Sequence, residues 1–192
     1  MQEPASDSED LEQVYELNRL FLCFLRDQAR HARSCLGLPR ACLPRIAAAA
    51  DTDIDAVAEL PRALFVLELS DAATAEAWAP GHTAEARAMQ SLQLTILLTL
   101  WHTSRRSAFR ARSFFGLSSD TIRRLRGFTL SELPAFAAGS RLVACSFPDS
   151  AWFWSELLAA GDMTQRERLR LIALQPTLEG GAGRARESLH YA

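Results

Sequence analysis

Between His102 and Arg126 the chain carries Arg105, Arg106, Arg110, Arg112, Arg123, Arg124 and Arg126 against a single acid, Asp120. Guanidinium groups fork phosphate oxygens bidentately, so a segment of this kind suits an anionic backbone. The spacing also suits a helix-turn-helix. Gly116 falls in the turn, and Ile122 and Leu125 face inward from the second helix. Ser119, Thr121, Arg123, Arg124 and Arg126 then face outward, where a DNA groove would lie. The N-terminus of that helix suits a phosphate. One detail departs from the pattern: Arg112 stands where a small residue is usual, and Ala111 is one position off. Two plainer uses stay open for the same charges. They can form a solvated face, or pair with the more acidic first half of the chain.

Other constellations carry less chemistry. Asp51-Thr-Asp53-Ile-Asp55 begins like a calcium loop, which needs Gly at its sixth position and Glu at its twelfth. Ala56 and Arg62 hold those positions, so the acids are expected at a helix N-terminus. No Gly-x-Ser-x-Gly, P-loop or GxGxxG pattern occurs. His31, His82, His102 and His190, with Cys23, Cys35, Cys42 and Cys145, show no metal-ligand spacing. The expectation is no catalytic centre, no cofactor and no metal. The cysteines read as small buried hydrophobes in a reducing cytoplasm. Trp152-Phe153-Trp154 is different, because three consecutive aromatics cannot all face one core. Trp152 and Trp154, with Phe21, Phe24 and Trp101 on the long helices, are the candidate partner-facing residues.

The elements that position these residues are helical. The chain has 192 residues, 48% hydrophobic and 23% charged, with a formal net charge of −2. That composition excludes a mostly disordered chain, and no global field draws it to nucleic acid. All 21 basic residues are arginine. The acidic stretch from Gln2 to Glu16 has no signal-peptide pattern. The apolar run Leu92–Trp101 falls short of the roughly 18 residues a membrane span needs.

An internal repeat organises the chain. Shifting Arg26–Leu38 (RDQARHARSCLGL) by 79 residues gives Arg105–Leu117 (RRSAFRARSFFGL). The pairs Arg26/Arg105, Ala29/Ala108, Ala32/Ala111, Arg33/Arg112, Ser34/Ser113, Gly37/Gly116 and Leu38/Leu117 are identical. Each copy follows an apolar helical stretch and precedes a short β-like run, Leu64–Leu69 or Leu142–Phe147. Two copies point to a tandem duplication rather than a solenoid. The first long helix is expected from about Asp10 to Leu36, and the second along a stripe from Met89 to Ala111. Both are apolar over more than one face, which implies burial against the other copy or another chain. Gly37 and Gly116 suit C′ caps. Thr129-Leu-Ser-Glu132 reads as a capping box for a helix carrying Leu130, Leu133 and Phe136. In the first copy Leu43 and Ile46, then Ile54, Val57 and Leu60, take the corresponding places. A capped helix starts near Asp162 and carries Leu169, Ile172 and Leu174, and a frayed tail follows it.

The expected fold is therefore all-α. Two tandem helical repeats, each a long helix, short helices and a brief extended edge, pack as a pseudo-dimer. The divisions are 10–70 for the first repeat, 71–86 for a linker with its Pro80-Gly81 break, 87–158 for the second repeat, and 159–192 for the last helix and tail.

The second copy resembles a known family. Gly116-Leu-Ser-Ser-Asp-Thr-Ile, Leu125, Thr129-Leu-Ser-Glu-Leu133, Ala137, Arg141-Leu-Val143 and Asp149 are similar to the FlhD family. FlhD is the smaller subunit of the bacterial flagellar master transcriptional activator. The first copy has the same outline more faintly, with Asp53-Ile-Asp55 in place of the Thr-x-x-Glu box. The resemblance covers about Asp10–Leu69 and Met89–Trp154. It implies two FlhD-like subunits fused in one chain, acting in the cytoplasm as a transcription activator of flagellum biogenesis. It further implies promoter DNA, an FlhC-like zinc-bearing partner subunit and RNA polymerase as partners. The family's DNA-contacting region corresponds to Ser118–Arg126, and it has no active site to carry over. The competing expectation is a helical adaptor or chaperone, for example of a secretion system, that touches no nucleic acid.

Overall fold

A computed structural model of the chain describes residues 7–31, 33, 36–69, 83–139, 142–147, 151–159 and 163–174. The described chain is mostly helical, as expected. The sequence expectations for Pro80-Gly81, Cys35, Arg141, Asp149, Asp162 and the C-terminal tail lie outside the described residues.

Helix α1 spans Asp7–Arg30. Val14, Leu17, Phe21, Leu22 and Leu25 make its buried stripe. It stops short of the expected Leu36. Leu36 and Gly37 take left-handed conformations, with φ 51° and 85°, so they form a turn beyond the helix rather than its cap. The reason is tertiary: the Leu36 carbonyl accepts the N–H of Cys145 at 2.7 Å, and Leu36 itself is buried. A 3-10 turn at Arg40–Cys42 leads into α2 (Leu43–Ala48) and α3 (Asp51–Ala58). At the start of α3, the Asp53 carboxylate accepts the N–H of Ala50 at 3.0 Å. Asp51 pairs with Arg26 at 2.8 Å and Asp55 with Arg19 at 2.7 Å. The three acids thus cap and pair, as acids at a helix N-terminus do.

Helix α4 spans Ala84–Arg106, and the Thr83 hydroxyl accepts the N–H of Ala86. The expected linker therefore ends earlier than residue 86. The stripe continuing to Ala111 belongs to two helices. Ser107 is extended, with φ −154° and ψ 114°. Its N–H closes α4 on Thr103 O, and its hydroxyl caps α5 (Ala108–Phe115) by accepting the N–H of Arg110. Gly116 ends α5 at φ 64°, the αL position a C-cap glycine fills. Helices α6 (Ser119–Gly127) and α7 (Leu133–Gly139) follow. Glu132 accepts both the N–H and the hydroxyl proton of Thr129 at 2.7 Å, which completes half of the expected box. Leu130, expected on the buried face, is 59% exposed, because it sits in the turn before α7 begins.

Strands β1 (Phe65–Leu67) and β2 (Val143–Cys145) pair antiparallel, Val66 opposite Ala144. The two extended edges of the sequence thus meet each other. Their flanking bonds are reciprocal: Glu68 N–H donates to Leu142 O and Ser146 N–H donates to Leu64 O, each at 2.8 Å. Helix α1 packs on α2 and α3, α4 packs on α6 and α7, and the two long helices pack on each other. Helix α8 (Ala151–Ala159) lies against the 3-10 turn and α3, and α9 (Met163–Leu174) against α8. The core is continuous through both halves.

Candidate nucleic-acid interface

Helices α5 and α6 join through the Gly116-Leu117 turn. Ala111, Phe115, Leu117, Ile122 and Leu125 fill the space between them and the body of the protein. Ala111 is fully buried, so it serves as the small packing residue despite its one-position shift. Arg112 faces outward and donates to the Ser119 hydroxyl at 2.9 Å. Ser118 is the N-cap of α6, accepting the N–H of Thr121 at 3.1 Å, and its hydroxyl also meets that of Thr121.

The seven arginines do not share one role. Arg123 is open, its side chain 76% exposed, and pairs with Asp120 at 3.1 Å. An ion pair this exposed contributes little and yields readily to a phosphate. Arg105, Arg106, Arg112 and Arg126 are also exposed. Arg105 lies over the Trp101 ring, 5.0 Å from its centroid. Arg126 donates to Ser104 O at 2.7 Å. Arg110 and Arg124 are turned inward. Arg110 pairs with Asp10 of α1 at 2.8 Å, and Arg124 donates to Leu69 O beyond β1. Those two correct the expectation that every arginine of the segment faces a groove. Charge pairing with the first half, held open by the sequence, accounts for Arg110.

The first half also braces the turn. Ala63 N–H donates to Phe114 O at 2.9 Å. The Arg62 guanidinium lies over Gly116, where an added Cβ would approach its Nη2 at 2.7 Å. Burial pulls the Arg62 pKa below its ordinary value.

Behind these contacts stand two amides that the sequence reading passed over. The Asn18 side chain donates toward Ala58 O, Leu60 O and Arg62 O, and accepts the N–H of Leu64 at 2.8 Å. Gln93 donates to Ala137 O at 2.9 Å and accepts the N–H of Leu142 at 2.8 Å. Both are buried polar residues within apolar stripes, which is the signal that could have found them.

The candidate partner residues divide sharply. Phe21, Phe24 and Trp154 are buried in the core. Trp154 also donates its indole N–H to Ser146 O at 2.9 Å, and Phe21 packs on Phe65. They are therefore corrected from interface to core: the Phe21 ring, for one, is covered by Phe65 of β1. Trp101 is half-buried and donates to Phe128 O. Trp152 is the open one, 52% exposed, beside Glu156, Gln165, Arg168 and Leu169 in a groove between α8 and α9. Phe109 on α5, unremarked in the sequence, is 76% exposed.

No group of three His, Cys, Asp or Glu side chains among the described residues is placed to hold a metal. Among them no helix is long and apolar enough to cross a membrane. Comparison with protein-family models, curated proteins and solved structures finds no match to this chain.

Proposed function

We propose that this chain is a transcriptional regulator of the flagellar master-activator type, binding promoter DNA together with a zinc-bearing partner subunit. The observation that carries the proposal is the α5–Gly116–α6 unit, a capped helix-turn-helix with Arg112, Arg123 and Arg126 on its open side. Its second helix offers Ser119 and Arg123 to a groove, while Arg110 and Arg124 anchor the unit to the body. Duplication supports the same reading. The reciprocal strand bonds are what two fused FlhD-like subunits, paired as a pseudo-dimer, would produce. The basic face is kept in the second half. Its counterpart in the first half offers Arg40 and Arg45, and Arg45 is occupied with Ser155 O at 2.9 Å.

The test is purification of the chain from its native cells with and without nuclease, reading bound protein and bound DNA. A cysteine-rich zinc protein and a discrete DNA fragment are the expected companions. A protein companion with no DNA would move the assignment to a helical adaptor. The open Trp152 beside the α8–α9 groove favours that second reading, because an exposed indole is a common interface anchor.

A further inference from the structure

Phe109 is the most exposed large apolar side chain among the described residues, at 76%. It stands on the first turn of α5, just past the bend at Ser107. Its neighbours in sequence around that bend are Arg105 and Arg106, ending α4, with Arg105 lying over Trp101, and Arg112, one helical turn further on. All three are exposed, no acid occurs between His102 and Ser119 in sequence, and Asp10, brought onto α5 from α1, is taken up by Arg110. A partner that covers this corner must therefore supply negative charge and an apolar or π face side by side. Duplex DNA does so, with phosphates flanking sugars and base edges. The corner is also continuous with the α6 face, because Arg112 reaches the Ser119 hydroxyl at 2.9 Å.

We propose that Phe109 is an apolar wedge for duplex DNA, set against the sugar and base edges beside the site that α6 faces, while Arg105, Arg106 and Arg112 hold the flanking phosphates. This rests on the DNA-binding reading of the helix-turn-helix and adds a contact outside it. A wedge of this kind acts on the stack of bases and bends the duplex; an arginine acts on its counterions. The two contributions therefore separate in the laboratory.

The experiment uses the full chain and a fluorescently labelled random-sequence duplex, with affinity read by anisotropy across a salt series. End-to-end energy transfer on a doubly labelled duplex reads bending. Phe109→Ala is expected to weaken binding about tenfold with the salt slope unchanged, and to abolish the bend. Phe109→Trp retains both. Arg105→Gln with Arg106→Gln lowers the slope by about 2 and leaves the wedge in place. Since Phe109 is exposed, an unchanged circular dichroism melt accompanies each Phe109 variant. If Phe109→Ala binds and bends like the parent while Arg123→Glu loses affinity, the wedge is overturned and the DNA reading stands. If the parent chain binds no duplex, either alone or with the companion that co-purifies with it, both fall. If poly-glutamate displaces the duplex as effectively as unlabelled duplex does, the corner belongs to an acidic protein and the assignment to DNA is overturned.

Discussion

Asn18 and Gln93 do the same work in opposite halves. Each amide donates to the carbonyl of a short helix's end, Ala58 or Ala137, and accepts the N–H that leads into a strand, Leu64 or Leu142. A buried amide with both ends engaged fixes the angle between helix and strand, and leaving its partners unsatisfied is costly. Asn18→Ala is expected to cost about 2–4 kcal/mol in urea denaturation, from the stranded carbonyls and N–H together. Gln93→Ala falls in the same range. A loss under 1 kcal/mol at either site would mean that water replaces the amide.

Arg123 and Arg124 are adjacent, yet they answer to different assays. Arg123→Glu leaves the melting curve within about 0.5 kcal/mol of the parent, because its side chain is open. It is expected to weaken duplex binding and flatten the salt dependence. Arg124→Glu removes the donor to Leu69 O and destabilises the fold itself. Identical effects of the two changes on DNA binding, with no change in stability, would refute this division.

Gly116 is constrained twice. Its φ of 64° disfavours any other residue, and a Cβ would meet the Arg62 guanidinium at 2.7 Å. Gly116→Ala is expected to cost about 1–2 kcal/mol. In an Arg62→Ala background the steric share disappears and the cost drops toward that of the backbone alone. A double-mutant cycle with no coupling would show that Arg62 swings aside freely.

Glu132 accepts two protons' worth of hydrogen bonds from Thr129, and these hold its carboxyl below the ordinary 4.5. A depressed carboxylate pKa gives stability that is present above the unfolded value and is lost as pH falls through the folded one. The parent should therefore lose stability on acidification below about pH 4.5 more steeply than Glu132→Gln does. Parallel acid titrations of the two, followed by circular dichroism, would rule out this contribution.

Trp152→Ala and Trp154→Ala should separate binding from folding. Trp154 is fully buried and bonded to Ser146 O, so truncation costs about 3–5 kcal/mol. Trp152→Ala keeps the fold and removes whatever companion the α8–α9 groove takes. If native co-purification is unchanged by Trp152→Ala, the groove is not an interface.

Much of this arrangement was legible in the residues. The all-helical class, the glycine turn at Gly116 and the two short extended edges follow from periodicity and cap chemistry, which are local. What escaped was set by the other half of the chain. Helix α1 ends before Leu36 because Leu36 must reach β2. Arg110 and Arg124 looked solvent-bound until Asp10 and Leu69 O came within reach. Of the site, the turn and its glycine cap were readable, while the division of arginines into open and anchored was not.

The pairing of Val66 with Ala144 also sets a schedule for synthesis. When β1 leaves the ribosome, its partner strand has yet to be translated, along with α4, the helix that packs against α1. The N-terminal half then carries the α1 face that α4 will cover and an unpaired β1 edge. A nascent chain arrested before residue 142 should consequently recruit hydrophobic-binding chaperones, and release them once Cys145 can close onto the Leu36 carbonyl. The first half of the chain thus waits for the second to complete its sheet.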